Sequence, residues 1–442
     1  MTNHFRLRAN PHTFLCRPAF NLRFFWILSI TSIFLVFSAV IHGCKRHKAA
    51  NPTPDIKVGE QFWVRVLLLD NIEQCSIGID SKYNIVEAGS DLSVKNVKID
   101  KKPLREPVSV QIQDGQINIA GRIYESSRIT ISPDNPYVFS LNGKLYRGKI
   151  SFIINQDSGS FDVINLVPLE SYIAGVAGAE MPDYWEPEAL KCQVIAARTY
   201  CLFIKRRFGT NRAWDLNKTA AHQVYLGIEA ESASVWNAVN ETSGEVLTCQ
   251  QADGTEDIFP SYYSSTCGGH TENSENVFGD SYEPLKGVEC SYCKDVAKPE
   301  IFFWPDAQFE KADVFARLLS RYSNFSRLGE ITEISVAQQS DYGDFSRLTK
   351  IRITGSNDIS DFLRAEDFRL TIDPSGRKLK SAACKLEEVD DKLIFTNGRG
   401  WGHGVGMCQC GAEGMAREGK KAEEILNYYY PGSKILKLDY NK

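Results

Sequence analysis

The sequence predicts an α+β protein: a β-rich amino-terminal domain packed with a mixed helix-and-strand unit, preceded by an amino-terminal apolar anchor. Three observations carry this. Short clusters of strand formers separated by turn residues fill the stretch from Phe62 to Ile154. Two helical periodicities follow within Asn165–Arg207, on either side of a short irregular break. Ahead of both, Phe24–Val40 is almost wholly apolar. With 442 residues, 43% of them hydrophobic and 24% charged, the chain is long enough for two or three packed units. A net charge of −4 gives no case for nucleic-acid binding.

At the amino end, Arg6, Arg8, Arg17 and Arg23 precede the apolar run, and no acidic residue occurs before Asp55. Counted to Gly43 the run approaches the roughly 20 residues that span a bilayer. A basic leader ahead of it fits an export signal or an anchor with the amino end inside. Ile41-His42-Gly43-Cys44 also resembles a poor lipoprotein-processing site, so anchor, lipoprotein and cleaved signal stay open. In each case the rest of the chain is expected outside the cytoplasm, membrane-attached in the cell envelope. The expected division is 1–44 signal or anchor, 45–60 linker, 61–155 β-rich part, 156–300 helices and a metal-type loop, and 301–442 carboxy-terminal part.

Phe62–Leu69, Cys75–Ile79, Val108–Gln113, Ile117–Ile119, Ile129–Ile131 and Lys149–Ile154 read as strands, separated by turn signals such as Asp114-Gly115 and Asn142-Gly143. The first helix opens at Pro168-Leu169-Glu170, since proline suits a first helical turn and an acidic residue suits the dipole there. The second opens near Pro187-Glu188 and ends on Lys205-Arg206-Arg207, as a helix carboxyl end favours. Between them stands Glu180. Met181 precedes Pro182 and is pushed out of helical geometry. A carboxylate at this break, beside Met181, Tyr184 and Trp185, reads either as a solvated helix end or as an acid of raised pKa.

Farther on, Ala230–Asn240 and Asp306–Arg321 read as helices, Ile331–Gln338 and Leu348–Ile353 as a hairpin, and Asp358–Arg364 as a short helix. Phe259–Ser265 reads as a strand leading into the turn Cys267-Gly268-Gly269-His270. Cys267-x-x-His270 and Cys290-x-x-Cys293 together have the spacing of a closed tetrahedral zinc site, with Cys267, His270, Cys290 and Cys293 as ligands. One or two disulfides, or unlinked thiols, are the competing readings. Phe395–Met415 is glycine-rich, and helices follow from Gly411 and over Ala422–Tyr429.

VPLESYIAGVAGAEMP with EALKCQVIAARTY, then YYSSTCGGHTENSENVFG, then GRGWGHGVGMCQCGAEGMA, resemble in order the motifs of the stage II sporulation protein D (SpoIID/LytB) domain family. The resemblance implies peptidoglycan binding and, in catalytic members, lytic transglycosylase activity with Glu180 as the acid. It also implies glycan strands as the substrate and leaves room for a cell-wall amidase as partner, since some relatives are amidase enhancers. Tyr200, His222, His403 and Gln409 become candidates for holding glycan, although a satisfied structural histidine is the stronger reading for His222 and a histidine fixing the glycine-rich turn is an equal one for His403. A structural zinc is expected, and the chemistry needs no other cofactor. Cys408-x-Cys410 stands where the family usually lacks cysteine, and its role does not follow from the resemblance.

Overall fold

The computed structural model describes residues 62–438 apart from 89–93, 101–102, 156–157, 210–211 and 252. The apolar run Phe24–Val40 and the linker 45–60 lie outside the described residues. Among the described residues, no helix is long and apolar enough to cross a membrane.

Strands dominate the amino-terminal part. They are β1 (Trp63–Ile72), β2 (Gln74–Ile79), β3 (Tyr83–Ala88), β4 (Val94–Asp100), β5 (Leu104–Gln113) and β6 (Gln116–Ile119). After them come β7 (Arg122–Tyr124), β8 (Arg128–Pro133), β9 (Val138–Leu141), β10 (Lys144–Arg147), β11 (Lys149–Asn155) and β12 (Ser160–Pro168). A seven-stranded sheet runs Leu216–Asn217, β1, β12, β11, β8, β3, β4, and a six-stranded sheet runs β10, β9, β2, β5, β6, β7. Alternation explains the pairing of faces: along β8 Ile129 and Ile131 are buried while Arg128 and Thr130 are half-buried. All six strands expected from the sequence form. β3, β4, β7, β9, β10 and β12 were not foreseen.

β12 feeds directly into helix α1 (Leu169–Glu180), with Pro168 as its N-cap. Helix α2 (Pro187–Phe208) follows after the break Met181–Glu186. α1 is buried from Tyr172 to Ala177, and α2 is buried along most of its length. Both contribute to one hydrophobic cluster that also takes residues from the two sheets and from the last helix, Ala422–Tyr429. The helices are tied by charge as well: the fully buried Arg198 donates from Nε and Nη2 to both oxygens of Glu170 (3.0 and 2.7 Å) and from Nη1 to the Glu245 carbonyl.

A second hydrophobic cluster is confined to Trp304–Phe395 and centres on Leu318, Phe325, Ile351, Phe368 and Leu393. It holds the expected hairpin, Ile331–Asp341 against Ser346–Gly355. Three local expectations need correction. The helix expected over Asp306–Arg321 begins only at Lys311, since Ala307–Glu310 pairs as strand with Lys392–Phe395. Ser360–Arg364 is a strand paired with Lys350–Thr354, not a helix, and the helix begins only at Ala365. Phe362 and Leu363 are adjacent, so they carry no two-residue strand period, and they stand next to a true helix start. Of Phe259–Ser265, only Tyr263–Ser264 pairs as strand, in parallel with Met407–Cys408.

Candidate active site and thiol cluster

Glu180 is the last residue of α1, because Met181 turns to extended geometry (φ −127°, ψ 144°) before Pro182. Its Oε1 accepts from the Val224 backbone N–H at 2.9 Å. Burial raises its pKa above the ordinary carboxylate range, while the bonds from Val224 and from the Gln409 side chain pull it partly back. A helix carboxyl end also disfavours negative charge, which acts in the same direction as burial.

The partners of Glu180 come from three distant segments. Val224 lies on the loop after α2. Next to it, Gln223 is fully enclosed: its Nε2 donates to the Ala197 carbonyl (3.1 Å) and to the Tyr263 hydroxyl (2.9 Å), and its Oε1 accepts from Tyr172 (3.1 Å). Burial, then the nearby Glu180 charge, keep the Tyr263 phenol neutral. Gln409, also buried, donates from Nε2 to the Glu180 carbonyl (3.3 Å) and to Gln193 Oε1 (3.2 Å).

The other candidates stand farther from the acid. Tyr200 is buried, with its ring 5.7 Å from Tyr262, and burial raises its pKa. Tyr262 stacks on Phe278 (4.2 Å), and His403 packs edge-on to both. His403 accepts from the Val405 N–H at Nδ1 (3.0 Å), and burial pushes its pKa down to about 4, so the ring is neutral and fixes the glycine-rich turn. His222 accepts from the Asn217 N–H (3.1 Å) and is likewise pushed down to about 4 by burial. Neither histidine has a hydrogen bond to Glu180 among the described residues.

The second centre is a cluster of four buried thiols. Cys267, Cys290, Cys293 and Cys408 place their sulfurs within 4.8 Å of one another. Cys267 and Cys293 are 3.7 Å apart, unbonded and close to the roughly 3.8 Å edge of a tetrahedron with zinc–sulfur bonds of about 2.3 Å. The donor set therefore fits a closed structural zinc site. Hydrogen bonding, first from Cys267 and then from Cys293 and Cys408, lowers the Cys290 pKa from the usual thiol value.

This corrects the expected ligand set, because Cys408 stands in place of His270. Gly268 and Gly269, both at positive φ (81° and 126°), turn the chain so that the imidazole leaves the cluster. The His270 ring instead stacks on Tyr342 (4.0 Å), with Nδ1 2.6 Å from the Thr271 carbonyl. Cys408 reaches the cluster through the pairing of Met407–Cys408 with Tyr263–Ser264, and its sulfur accepts from the Cys267 N–H (3.3 Å). Cys410 faces elsewhere, accepting from Thr266 (3.2 Å). Two glycines permit the approach. Gly406 sits at φ 70° over the Tyr262 carbonyl, and a Cβ on Gly411 would lie 2.7 Å from the Cys290 sulfur.

Sequence reasoning missed Tyr263, the Val224 amide and Cys408. The first was legible only as one tyrosine within YYSSTCGG, and a backbone donor leaves no sequence trace. The signal for Cys408 was present in the unexplained Cys408-x-Cys410 pair.

Residues 157–249 match the family model described as SpoIID, stage II sporulation protein. The chain is 31% identical over 290 residues to stage II sporulation protein D of Bacillus subtilis, covering 62% of this chain and 76% of that one. It is 37% identical over 304 residues to an uncharacterized protein of Brachyspira hyodysenteriae, covering 69% of this chain and 75% of that one. It is 26% identical over 401 residues to the amidase enhancer of Bacillus subtilis, covering 80% of this chain and 54% of that one. The chain belongs to the SpoIID family.

Proposed function

We propose that the protein is a peptidoglycan lytic transglycosylase with Glu180 as general acid and then general base. The observation that carries this is a carboxyl group at a helix end, raised in pKa by burial and held by the Val224 N–H. A glycosidase that uses water normally needs two carboxylates across the scissile bond. One suffices when the acceptor lies within the sugar. Glu180 gives its proton to the glycosidic oxygen as the bond to the muramyl anomeric carbon breaks. The primary hydroxyl of the same muramyl residue bonds to that carbon and returns its proton to Glu180. The enzyme ends as it began, and the glycan ends in an anhydromuramyl unit. His403, Tyr200 and the Tyr262–Phe278 stack would form one wall for the glycan, and His222 a more distant contact. Mass spectrometry of fragments from purified murein tests the reading: anhydromuropeptides support it, and retention of murein without new ends defeats it.

The amidase-enhancer relative favours a second reading, a murein-binding module that stimulates a cell-wall amidase without cutting. Stimulation of an amidase that survives loss of Glu180 would select it.

The four thiols are read as holding one structural zinc. The ion would tie the Thr271–Glu289 loop to the strand Tyr263–Ser264 and, with four protein ligands, keep no open position for substrate. Elemental analysis is expected to give about one zinc per chain, lost in Cys408→Ser and retained in His270→Ala. Retention by the first and loss by the second would restore His270 as the ligand.

For location we read membrane attachment through the apolar amino-terminal run, with the body of the protein outside the cytoplasm. An alkaline phosphatase fusion after Asn51 is expected to be active. An inactive fusion beside an active cytoplasmic reporter at the same point would reverse the topology.

A further inference from the structure

Two short runs of chain connect the thiol cluster to Glu180. Cys408 is followed directly by Gln409, whose Nε2 donates to the Glu180 carbonyl (3.3 Å). On the facing run, Cys267 follows Tyr263 through Ser264-Ser265-Thr266, and the Tyr263 hydroxyl is held by Gln223, the neighbour of Val224. The runs meet over a few residues: Tyr263 pairs with Met407 and Ser264 with Cys408, the Met407 N–H donates to the Tyr262 carbonyl (3.0 Å), the Cys410 N–H donates to the Ser265 carbonyl (3.0 Å), Thr266 donates to the Cys410 sulfur (3.2 Å), and the Cys267 N–H donates to the Cys408 sulfur. A parallel pair two residues long is a weak ladder that cannot by itself hold a register. A covalent-strength tie at its end would.

We propose that a metal ion bound by Cys267, Cys290, Cys293 and Cys408 is the positioning device of the acid: by locking Cys408 to Cys267 it seats Gln409 and Tyr263 against Glu180. The proposal rests on the reading of Glu180 as the acid. Gln409 is then a positioning residue. It holds the carbonyl of the residue whose carboxyl group reacts, and its own backbone begins at a metal ligand. Its second bond, to Gln193 Oε1 (3.2 Å), anchors the amide to α2, so the side chain has one orientation. Tyr263 stands at the other side, fixed through Gln223 to the loop that supplies the Val224 N–H. The metal takes no part in the proton transfer. It sets the frame in which the transfer occurs, and a displacement of about 1 Å at such a frame costs up to about 100-fold in rate.

The test uses the full chain and the variants Cys408→Ser, Gln409→Ala and both together. Zinc content, murein binding, murein cleavage and hydrogen exchange at the Val224 amide are measured on each. Cys408→Ser is expected to lose its zinc and to fall about 100-fold in kcat, with KM changed little and the Val224 amide exchanging faster. Gln409→Ala is expected to keep its zinc and still show the slower turnover and the faster Val224 exchange. The double variant is expected to be no slower than Cys408→Ser, because both changes break one chain of contacts. Parental turnover in Gln409→Ala, or losses that multiply in the double variant, would overturn the proposal. If Cys408→Ser does not fold, chelation of the parent protein gives the same comparison, with recovery on added zinc as the expected result. A parent that binds murein without cutting it defeats the acid reading of Glu180 and leaves the positioning to be decided by Val224. Faster exchange on metal loss supports it, and unchanged exchange overturns it.

Discussion

Glu180→Gln is expected to lower glycan cleavage roughly 100- to 10,000-fold while murein binding persists. The amide keeps the size of the carboxyl group and removes the proton that general acid catalysis needs. It can still accept the Val224 N–H, so the helix end and the loop stay in place. Folding should survive for the same reason, and a folded but inactive variant isolates the chemistry. The pH dependence follows from the direction of the shift. Burial raises the Glu180 pKa in the folded protein, so the protonated acid persists above the ordinary carboxylate range and kcat/KM should fall as pH rises through that raised value. The same shift has a stability consequence. The folded state prefers the protonated group, so this contribution is fully present below the unfolded pKa and is lost as pH rises through the folded one. Glu180→Gln should flatten both dependences. Cleavage at the parental rate would remove Glu180 from the mechanism. Loss of binding would mean that the carboxyl group contacts the ground-state sugar.

How much of this was legible in the sequence depended on whether the signal was local. α1, α2 and the break at Met181-Pro182 were readable because proline, dipole and periodicity all act within one or two turns, and the observed bounds fall where those residues put them. Apolar strands such as β1 and β11 were readable for the same reason. Short strands such as β9 and β10 were not, because their identity depends on neighbours supplied from elsewhere in the chain. The metal-type loop was half legible. Cys267, Cys290 and Cys293 lie close in sequence and their spacing is informative, but Cys408 is 141 residues from Cys267 and meets it through tertiary pairing. His270 had the right spacing and the wrong direction, which two positive-φ glycines decide. The surroundings of Glu180 were least legible. Val224, Gln223, Tyr263 and Gln409 converge from three segments, and one of the bonds is made by backbone; Gln409 was singled out in the sequence as a glycan contact, but its bond to the Glu180 carbonyl was not.

The loop that carries Val224 to the acid is anchored by a buried ion pair, and breaking that pair should have the largest effect on stability. Arg147, at the end of β10, donates from Nε and Nη2 to both oxygens of Glu231 (2.8 and 2.7 Å for the shortest contacts), with the two side chains 5% and 1% exposed. Glu231 also accepts from Trp236 Nε1 (2.8 Å), and the Arg147 guanidinium lies 5.7 Å from the Trp236 ring. The Arg147 carbonyl accepts from Asn165 Nδ2 (2.9 Å), and Asn165 Oδ1 in turn accepts from the Tyr225 hydroxyl (3.0 Å), one residue from Val224. Arg147→Met leaves the Glu231 carboxylate buried without its cation, and such a change costs roughly 3–5 kcal/mol. Urea unfolding should read that loss as a lower midpoint at unchanged slope. The double variant Arg147→Met/Glu231→Met should recover much of it, because an apolar pair of similar volume removes the uncompensated charge along with the attraction. A single-variant cost below about 1 kcal/mol would mean that water reaches the pair and screens it, as it does exposed pairs. Recovery in the double variant with Val224 still weakly protected would separate the two roles. The charges would then be needed to aim the loop at Glu180, beyond their part in keeping the protein folded.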